Sequence, residues 1–197
     1  MALPVKLQSL LSQNGGTITT AQANDVGISN ERLRLLVKSG DLERVTFGVY
    51  TSPDEFLDKM YAIQLRRPKI IYSHETALFL QDLTDRDPIG YTVTVPTGYN
   101  ATRLRENGLT VFTIKRELHE VGITQLSSMF GNNVAVYGLE RTICDCLRNR
   151  NQMDIAVVTD AVKRYARRKE KNLNTLMQMA ETFNVTKPLR SYMEVLL

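Results

Sequence analysis

The chain has 197 residues, of which 43% are apolar, so one or two domains are expected. Its 25 Lys and Arg exceed its 21 Asp and Glu by too little to indicate nucleic-acid binding unless cations are concentrated locally. Two cysteines and two distant histidines exclude a four-ligand zinc site, and without a long apolar run or a signal peptide we expect a soluble, cytoplasmic protein.

The first forty residues predict three helices. Leucines at helical spacing within residues 3–11 predict the first of them. Thr19 and Thr20 are typical of the N-terminal cap of a second, short helix. Ser29 is a good cap for a third helix over residues 30–39, whose apolar stripe leaves a polar outer face.

Two short strands, at residues 42–45 and 49–51, follow the third helix. The three residues between them end in Gly48, which fits a tight hairpin. Helix, short helix, turn, helix and hairpin is the element order of a winged helix-turn-helix. We therefore predict a DNA-binding domain of this type over residues 1–52.

The rest of the chain predicts a connecting helix over residues 53–69 and a second domain over residues 70–197. Predicted strands cover residues 69–73, 91–95, 111–114 and 134–136, residues 74–83 predict a packed helix, and the pattern is helical throughout from residue 153 to the C-terminus. Residues 104–107, 121–130 and 138–148 are predicted as loop or helix. The predicted fold class is α/β of the mixed α+β type: a winged helix-turn-helix, then a mixed α+β C-terminal domain with a helical C-terminus.

The polar face of the third helix is the predicted DNA reader. Such a helix enters the major groove, where its N-terminal residues meet base edges, while the hairpin contacts the flanking backbone. The candidate DNA-binding residues are Thr20, Ser29, Asn30, Arg32, Arg34, Lys38, Arg44 and Thr46. The alternative is a protein-interaction module, because residues 1–52 carry five basic and four acidic residues and thus little net charge.

The last quarter of the chain contains most of the surplus positive charge. Residues 148–197 hold ten basic and five acidic residues. In the helix predicted from residue 153, one face carries the apolar residues Ile155, Val158, Val162 and Tyr165, and the other the cations Lys163, Arg164, Arg167, Arg168 and Lys171. These five cations, the basic face, fit a polyanionic partner or an acidic protein, and the alternative is an ordinary solvated surface.

The string SHETAL begins a predicted helix. Ser73 is expected to cap it, and Glu75 suits the positive end of the helix dipole. A structural role is favoured for His74 over acid–base chemistry, since no nucleophile or metal partner lies near it in the sequence.

The segment YGLERTICDCLRNR predicts a helix with one apolar face. Arg141 and Asp145, four residues apart, are expected to pair on the helix surface. Cys144 and Cys146 point about 160° apart on a helix, so they are predicted to be small buried or half-buried residues and not a reactive pair.

An acidic cluster favours one enzymatic alternative, a metal-dependent nuclease. Asp82, Asp85 and Asp87 precede a predicted strand, and Lys115 follows another. The sequence before Lys115 reads Thr-Ile-Lys and lacks the carboxylate that such a site needs two residues earlier. This enzyme would use the winged helix to read its nucleic-acid substrate.

The collected strings resemble the AbiEi antitoxins of bacterial abortive-infection systems over nearly the whole chain. The matching strings are GISNERLRLLVKSGDLERVTFGVY, SHETAL, YTVTVPTGY, YGLERTICDCLRNR and LRSYMEVLL. The resemblance implies a two-domain antitoxin and autorepressor, active in phage defence, whose N-terminal domain binds inverted repeats in its own promoter. It also implies a C-terminal domain that neutralises a nucleotidyltransferase-like toxin without a stable complex, the type IV mode.

Repression of this kind requires no chemistry. We therefore expect no catalytic residue, no metal and no cofactor, with double-stranded DNA and the toxin as partners and no membrane contact. The protein is expected to be a monomer in solution with two copies on DNA. A third alternative is an adaptor that binds the toxin directly.

Overall fold

The computed structural model describes residues 3–54 and 56–196, which form two compact units. Unit 1 comprises Met1–Pro68 together with Ser127–Val134, and unit 2 comprises Lys69–Leu126 and Ala135–Leu197. Both units combine helices with a sheet, so the protein has a mixed α+β fold, and its C-terminal part is helical.

Unit 1 contains four helices and a three-stranded antiparallel sheet of order β1-β3-β2. In chain order its elements are α1 (Val5–Gln13), β1 (Thr17–Thr19), α2 (Thr20–Asp25), α3 (Asn30–Lys38), β2 (Glu43–Thr46), β3 (Val49–Thr51) and α4 (Lys59–Arg66). The three predicted helices and the hairpin are present within one or two residues of their predicted bounds.

The predicted caps hold the helices of unit 1 in place. Thr19 and Gln22 form a capping box at α2, and the Ser29 hydroxyl accepts a hydrogen bond from the Arg32 amide at α3. The buried side chains Leu7, Ile18, Leu33, Leu36 and Leu42 form the core beneath these helices. β1 was missed because Thr17–Thr19 is too short to show alternation beside its capping signal.

Asp58 ties a distant segment of the chain into unit 1. Its side chain caps α4 by accepting a hydrogen bond from the Tyr61 amide at 3.0 Å. The second carboxylate oxygen accepts from Asn132 Nδ2 at 3.0 Å and from the Ser128 hydroxyl. Because Asp58 is buried, these bonds are needed to satisfy its charge, and residues 127–134 therefore complete this unit.

Unit 2 is built on a five-stranded sheet of order β6-β5-β4-β8-β7, in which β4 pairs antiparallel with β5 and parallel with β8. The strands are β4 (Ile71–Tyr72), β5 (Thr92–Pro96), β6 (Thr110–Ile114), β7 (Ile123–Ser127) and β8 (Asn133–Tyr137). The helices are α5 (His74–Leu80), α6 (Thr102–Glu106), α7 (Arg116–His119), α8 (Leu139–Arg148), α9 (Ile155–Arg167), α10 (Leu173–Thr182) and α11 (Thr186–Leu196), with a 3-10 turn at Arg150–Gln152.

One predicted element of unit 2 is wrong. The prediction of loop or helix over residues 121–130 misses β7, whose side chains are mostly exposed and so give no apolar alternation. The C-terminal region is helical as predicted and consists of three helices, the first of which ends where Arg168 adopts an extended backbone. Ile155, assigned to the apolar face of that helix, is 55% exposed.

The Arg141–Asp145 pair forms as predicted but lies in the core and not on the surface. Both side chains are fully buried, and Arg141 Nε donates to Asp145 Oδ2 at 2.8 Å. The guanidinium stacks on the rings of Tyr137 and Phe183, with its central carbon 3.8 and 4.0 Å from their centroids. The neighbouring Cys144 is buried as predicted, and burial raises the pKa of its thiol to about 12.

Ser73 does not cap α5 through its side chain, contrary to the prediction. Its hydroxyl instead accepts a hydrogen bond from the Thr94 hydroxyl at 2.8 Å, and lies 3.0 Å from Nδ1 of His74. The imidazole of His74 is buried, stacks on Phe112 at 3.7 Å between centroids, and its Nε2 lies 2.9 Å from the Asn149 amide nitrogen. The histidine is thus a fully engaged core residue, which agrees with the structural role predicted for it.

The burial of His74 predicts a specific acid sensitivity. Burial lowers its pKa from 6.5 to about 3, so only the unfolded chain takes up this proton between those values. The free energy of unfolding should therefore fall as the pH decreases below 6.5, by at most about 1.4 kcal/mol per pH unit from this group. Urea unfolding across this pH range should give a shallower dependence for His74→Gln than for the unsubstituted protein. An equal slope in both proteins would contradict the assignment.

Candidate nucleic-acid interface

A cleft of about 620 Å³ opens on unit 1 beside α3. Its walls come from the start of α2, the outer face of α3, the β2–β3 hairpin and the end of α4. The lining residues are Thr19, Thr20, Ala21, Asn30, Arg34, Val37, Arg44, Phe47, Gly48, Val49, Tyr50, Leu65 and Arg66. Three of them are arginines and none is acidic, so this surface favours an anionic ligand.

The α3 side of the cleft presents exposed side chains that can form hydrogen bonds. Asn30 and Arg34 both project from the first half of the helix into solvent. The Arg34 guanidinium donates to Glu31 Oε1 at 3.1 Å, a pair in which both side chains are more than 60% exposed. An exposed pair of this kind stabilises little, so Arg34 remains available to an outside acceptor.

The hairpin side of the cleft carries an exposed aromatic ring between two arginines. Phe47 is 73% exposed, with the guanidinium carbon of Arg44 at 5.1 Å and that of Arg66 at 6.0 Å from its centroid. Arg66 also donates to the Thr46 hydroxyl, which connects α4 to the hairpin. Gly48 has a φ of +77°, a conformation that favours glycine and lets the turn close tightly.

The cleft brings together half of the predicted DNA-binding residues. Thr20, Asn30, Arg34 and Arg44 line it, and Lys38 lies exposed on the last turn of α3. The candidates outside the lining are Ser29, which caps α3, Arg32, which is half-buried, Lys38, and Thr46, which binds Arg66.

Two residues of this surface, Phe47 and Arg66, are not among the candidates that the sequence predicts. Phe47 could have been found, because an aromatic residue at the tip of a two-stranded hairpin has nowhere to be buried. Arg66 gave no local signal, since it lies 20 residues from Thr46 in sequence and meets it only through the packing of α4.

The predicted basic face of unit 2 is partly neutralised. Arg164 forms ion pairs with Asp160, at 2.7 Å, and with Asp85, and the hydrogen bond from Arg164 holds the pKa of Asp85 below its usual value. Arg168 donates to the Gln81 carbonyl and lies past the end of α9.

The other three cations of the basic face differ in position. Lys171 lies past α9, where its ammonium donates to the Arg168 carbonyl at 3.0 Å. Lys163 and Arg167 are exposed on α9 itself. The prediction of five cations on one continuous helical face is therefore wrong. Of the five, Lys163 and Arg167 are the residues that lie on α9 with exposed side chains.

The three aspartates of the nuclease alternative differ in their surroundings. Asp85 is paired with Arg164, while Asp82 and Asp87 are exposed. Within residues 3–54 and 56–196, no group of three or more His, Cys, Asp or Glu side chains is placed to hold a metal ion. Over the same residues, none of the helices has the length and apolar character needed to cross a membrane.

Residues 5–53, which include the cleft except for its α4 side, match the family described as "Transcriptional regulator, AbiEi antitoxin". This match confirms the AbiEi resemblance over that segment and supports a role in transcriptional regulation and antitoxicity. The fold resembles the crystal structure of the RV2827C protein from Mycobacterium tuberculosis, with a TM-score of 0.57 over 99% of this chain and 82% of that chain. At 11% identity this likeness concerns the fold alone. None of the curated proteins matches the sequence.

Proposed function

We propose, from the AbiEi resemblance of residues 5–53, that this protein is an autorepressor whose unit 1 is a winged helix-turn-helix that binds double-stranded DNA. The observation that carries the proposal is the cleft on unit 1, where two arginines and an exposed aromatic ring flank the polar face of α3, which itself carries a third arginine. Phosphate contacts from arginines position a protein on DNA, and a helix in the major groove reads the bases.

The residues of the cleft divide between these two tasks. Asn30 and Arg34 of α3 would meet base edges, since amide and guanidinium groups form paired hydrogen bonds with adenine and guanine. Arg44, Phe47 and Arg66, on and behind the hairpin, would contact the backbone beside the site. The target is an inverted repeat in the protein's own promoter, in the cytoplasm, and each copy of a monomeric protein occupies one half-site.

Binding of the purified protein to the DNA upstream of its own gene is the direct test. Specific binding should exceed binding to a scrambled fragment, and should weaken steeply between about 50 and 200 mM salt because phosphate contacts release counterions. Equal affinity for both fragments would contradict the repressor proposal and favour an interaction module.

Replacement of Arg34 by alanine should lower affinity for the promoter by about 1–3 kcal/mol and relax base preference at one position of each half-site. The reason is that Arg34 is exposed on the reading face and its ion pair with Glu31 is a weak surface pair. A gel-shift series against promoter variants measures both effects. Unchanged affinity would remove Arg34 from the interface, and Arg103→Ala, an exposed arginine of unit 2, is the control.

Unit 2 would supply the antitoxic activity of type IV, acting against a nucleotidyltransferase-like toxin without a stable complex. This proposal is supported by the positively charged side chains of Lys163 and Arg167, which are exposed on α9. Replacing both by glutamine should abolish rescue of cells that express the toxin, while promoter binding and the fold are kept. Lys187→Gln with Arg190→Gln, two exposed cations of α11, is the charge-matched control. Full rescue by the α9 variant would show that the basic face is only a solvated surface.

Association with the toxin is tested separately. Separate elution of the two purified proteins on gel filtration is expected under the type IV mode. Co-elution would instead favour the adaptor, in which direct binding neutralises the toxin.

A further inference from the structure

A second cleft, of about 490 Å³, lies within unit 2. It is formed by the end of β5, the end of β6, α7, the last residue of α8 and the turn after α10. The lining includes Thr113, Ile114, Lys115, Arg148, Phe183 and Asn184. Its volume falls within the range of clefts that hold small molecules, about 300–1,000 Å³.

The cleft carries surplus positive charge. Its lining includes Lys115 and Arg148 and no acidic residue. Behind Arg148 lies the buried carboxylate of Asp145, which is 2.8 Å from Arg141 Nε and 3.4 Å from Arg148 Nη2. The carboxylate of Asp145 pairs with the guanidinium groups of both Arg141 and Arg148, so it only partly neutralises the charge of Arg148. An anion in the cleft would complete the balance.

Arg148 is partly enclosed. Only 26% of its side chain is exposed, and its Nη2 lies 3.4 Å from Asp145 Oδ1 in an ion pair. A guanidinium offers a planar pair of donors that matches the geometry of a phosphate. Lys115, by contrast, is exposed and forms no ion pair within the described part of the chain.

The remaining walls are suited to an organic group with hydrogen-bonding atoms. Ile114 and Phe183 are buried apolar side chains on the lining, and the ring of Phe183 is braced by the Arg141 guanidinium at 4.0 Å. The Thr97 hydroxyl donates to the Ile114 carbonyl. The side chains of Thr113 and Asn184 make no hydrogen bond to other described residues and so remain open to a ligand.

We propose that this cleft binds a small organic phosphate, whose phosphate group contacts Lys115 and Arg148 and whose apolar part packs on Phe183. The site is separate from the DNA-binding cleft of unit 1 and does not depend on that function. It would make unit 2 responsive to a phosphorylated metabolite or nucleotide.

The test uses the full chain and AMP as the probe, by isothermal titration calorimetry in a buffer free of phosphate. AMP should bind with a stoichiometry of one, inorganic phosphate should compete with it, and adenosine should bind far more weakly. Lys115→Gln should weaken AMP binding at least about tenfold, since it removes a charge-assisted contact. Arg148→Lys, which keeps the charge but loses the planar fork, should weaken it as well.

Two charge-matched controls locate the site. Lys163→Gln, on α9, and Arg44→Gln, in the cleft of unit 1, should bind AMP as the unsubstituted protein does. Absence of binding of both AMP and inorganic phosphate at millimolar concentration would overturn the proposal. So would AMP binding that survives Lys115→Gln unchanged, or that is lost in Arg44→Gln, which would place the ligand in unit 1. Circular dichroism of each variant confirms that the fold is kept.

Discussion

Replacement of Arg141 by alanine is expected to lower the free energy of unfolding by about 3–5 kcal/mol, because it leaves a buried carboxylate without its main partner. Asp145 is fully buried, and its pKa is already raised by that burial against the opposing effect of Arg141. The substitution also removes the donors to the carbonyl oxygens of Leu118, at 3.0 Å, and Val121, at 2.5 Å. Urea unfolding monitored by circular dichroism at neutral pH measures the loss.

The exposed counterpart of this pair is the matched control. Arg164 and Asp160 have the same four-residue spacing on α9, but both side chains are at least one-third exposed. Arg164→Ala should therefore destabilise the protein much less than Arg141→Ala. Arg141→Met combined with Asp145→Leu should recover much of the loss of the single variant, since no charge is then left buried. A cost for Arg141→Ala no larger than that for Arg164→Ala would contradict this account.

Replacement of Arg44 and Arg66 together by glutamine is expected to weaken promoter binding about thirty- to hundredfold near physiological salt, and to lower the salt slope by about two. Both guanidinium groups flank the exposed ring of Phe47, and each would neutralise one phosphate. The loss should be nearly the same for the promoter and for scrambled DNA, because phosphate contacts carry no sequence information. Fluorescence anisotropy over a salt series measures affinity and slope together.

The control for this variant is Lys6→Gln with Lys59→Gln, two exposed cations of unit 1 outside the cleft lining. These changes remove the same charge and should alter the slope little. If the control pair weakened binding as much as the cleft pair, net charge and not the geometry of the cleft would explain the affinity. An unchanged slope for Arg44→Gln with Arg66→Gln would place the DNA elsewhere.

The sequence predicts best those features whose causes lie close together along the chain. The capping box of α2 joins Thr19 to Gln22, and the cap of α3 joins Ser29 to Arg32. A few consecutive residues therefore predict where both helices begin. The hairpin was visible for the same reason, because its turn and strands are contiguous. These local signals are enough to predict most of unit 1 and four of the residues that line its cleft.

The features that the sequence did not predict depend on distant partners. The four-residue spacing of Arg141 and Asp145 is the same in a surface pair and a buried one, and only the rings of Tyr137 and Phe183 and the carbonyls near Leu118 decide between them. The same holds for the basic face. Its cations looked equivalent on a helical wheel, but Asp85, which neutralises Arg164, lies 79 residues earlier.

The hydrogen bonds of Asp58 bear on how this protein is divided for experiments. A fragment that stops at Pro68 keeps every residue of the unit 1 cleft but omits Ser128 and Asn132, which donate to the second oxygen of that carboxylate. Unit 1 is thus discontinuous in sequence, and a genetic fusion or domain exchange made at residue 68 would remove both of these donors to Asp58. Point substitutions in the full chain separate the roles of the two units without creating that defect.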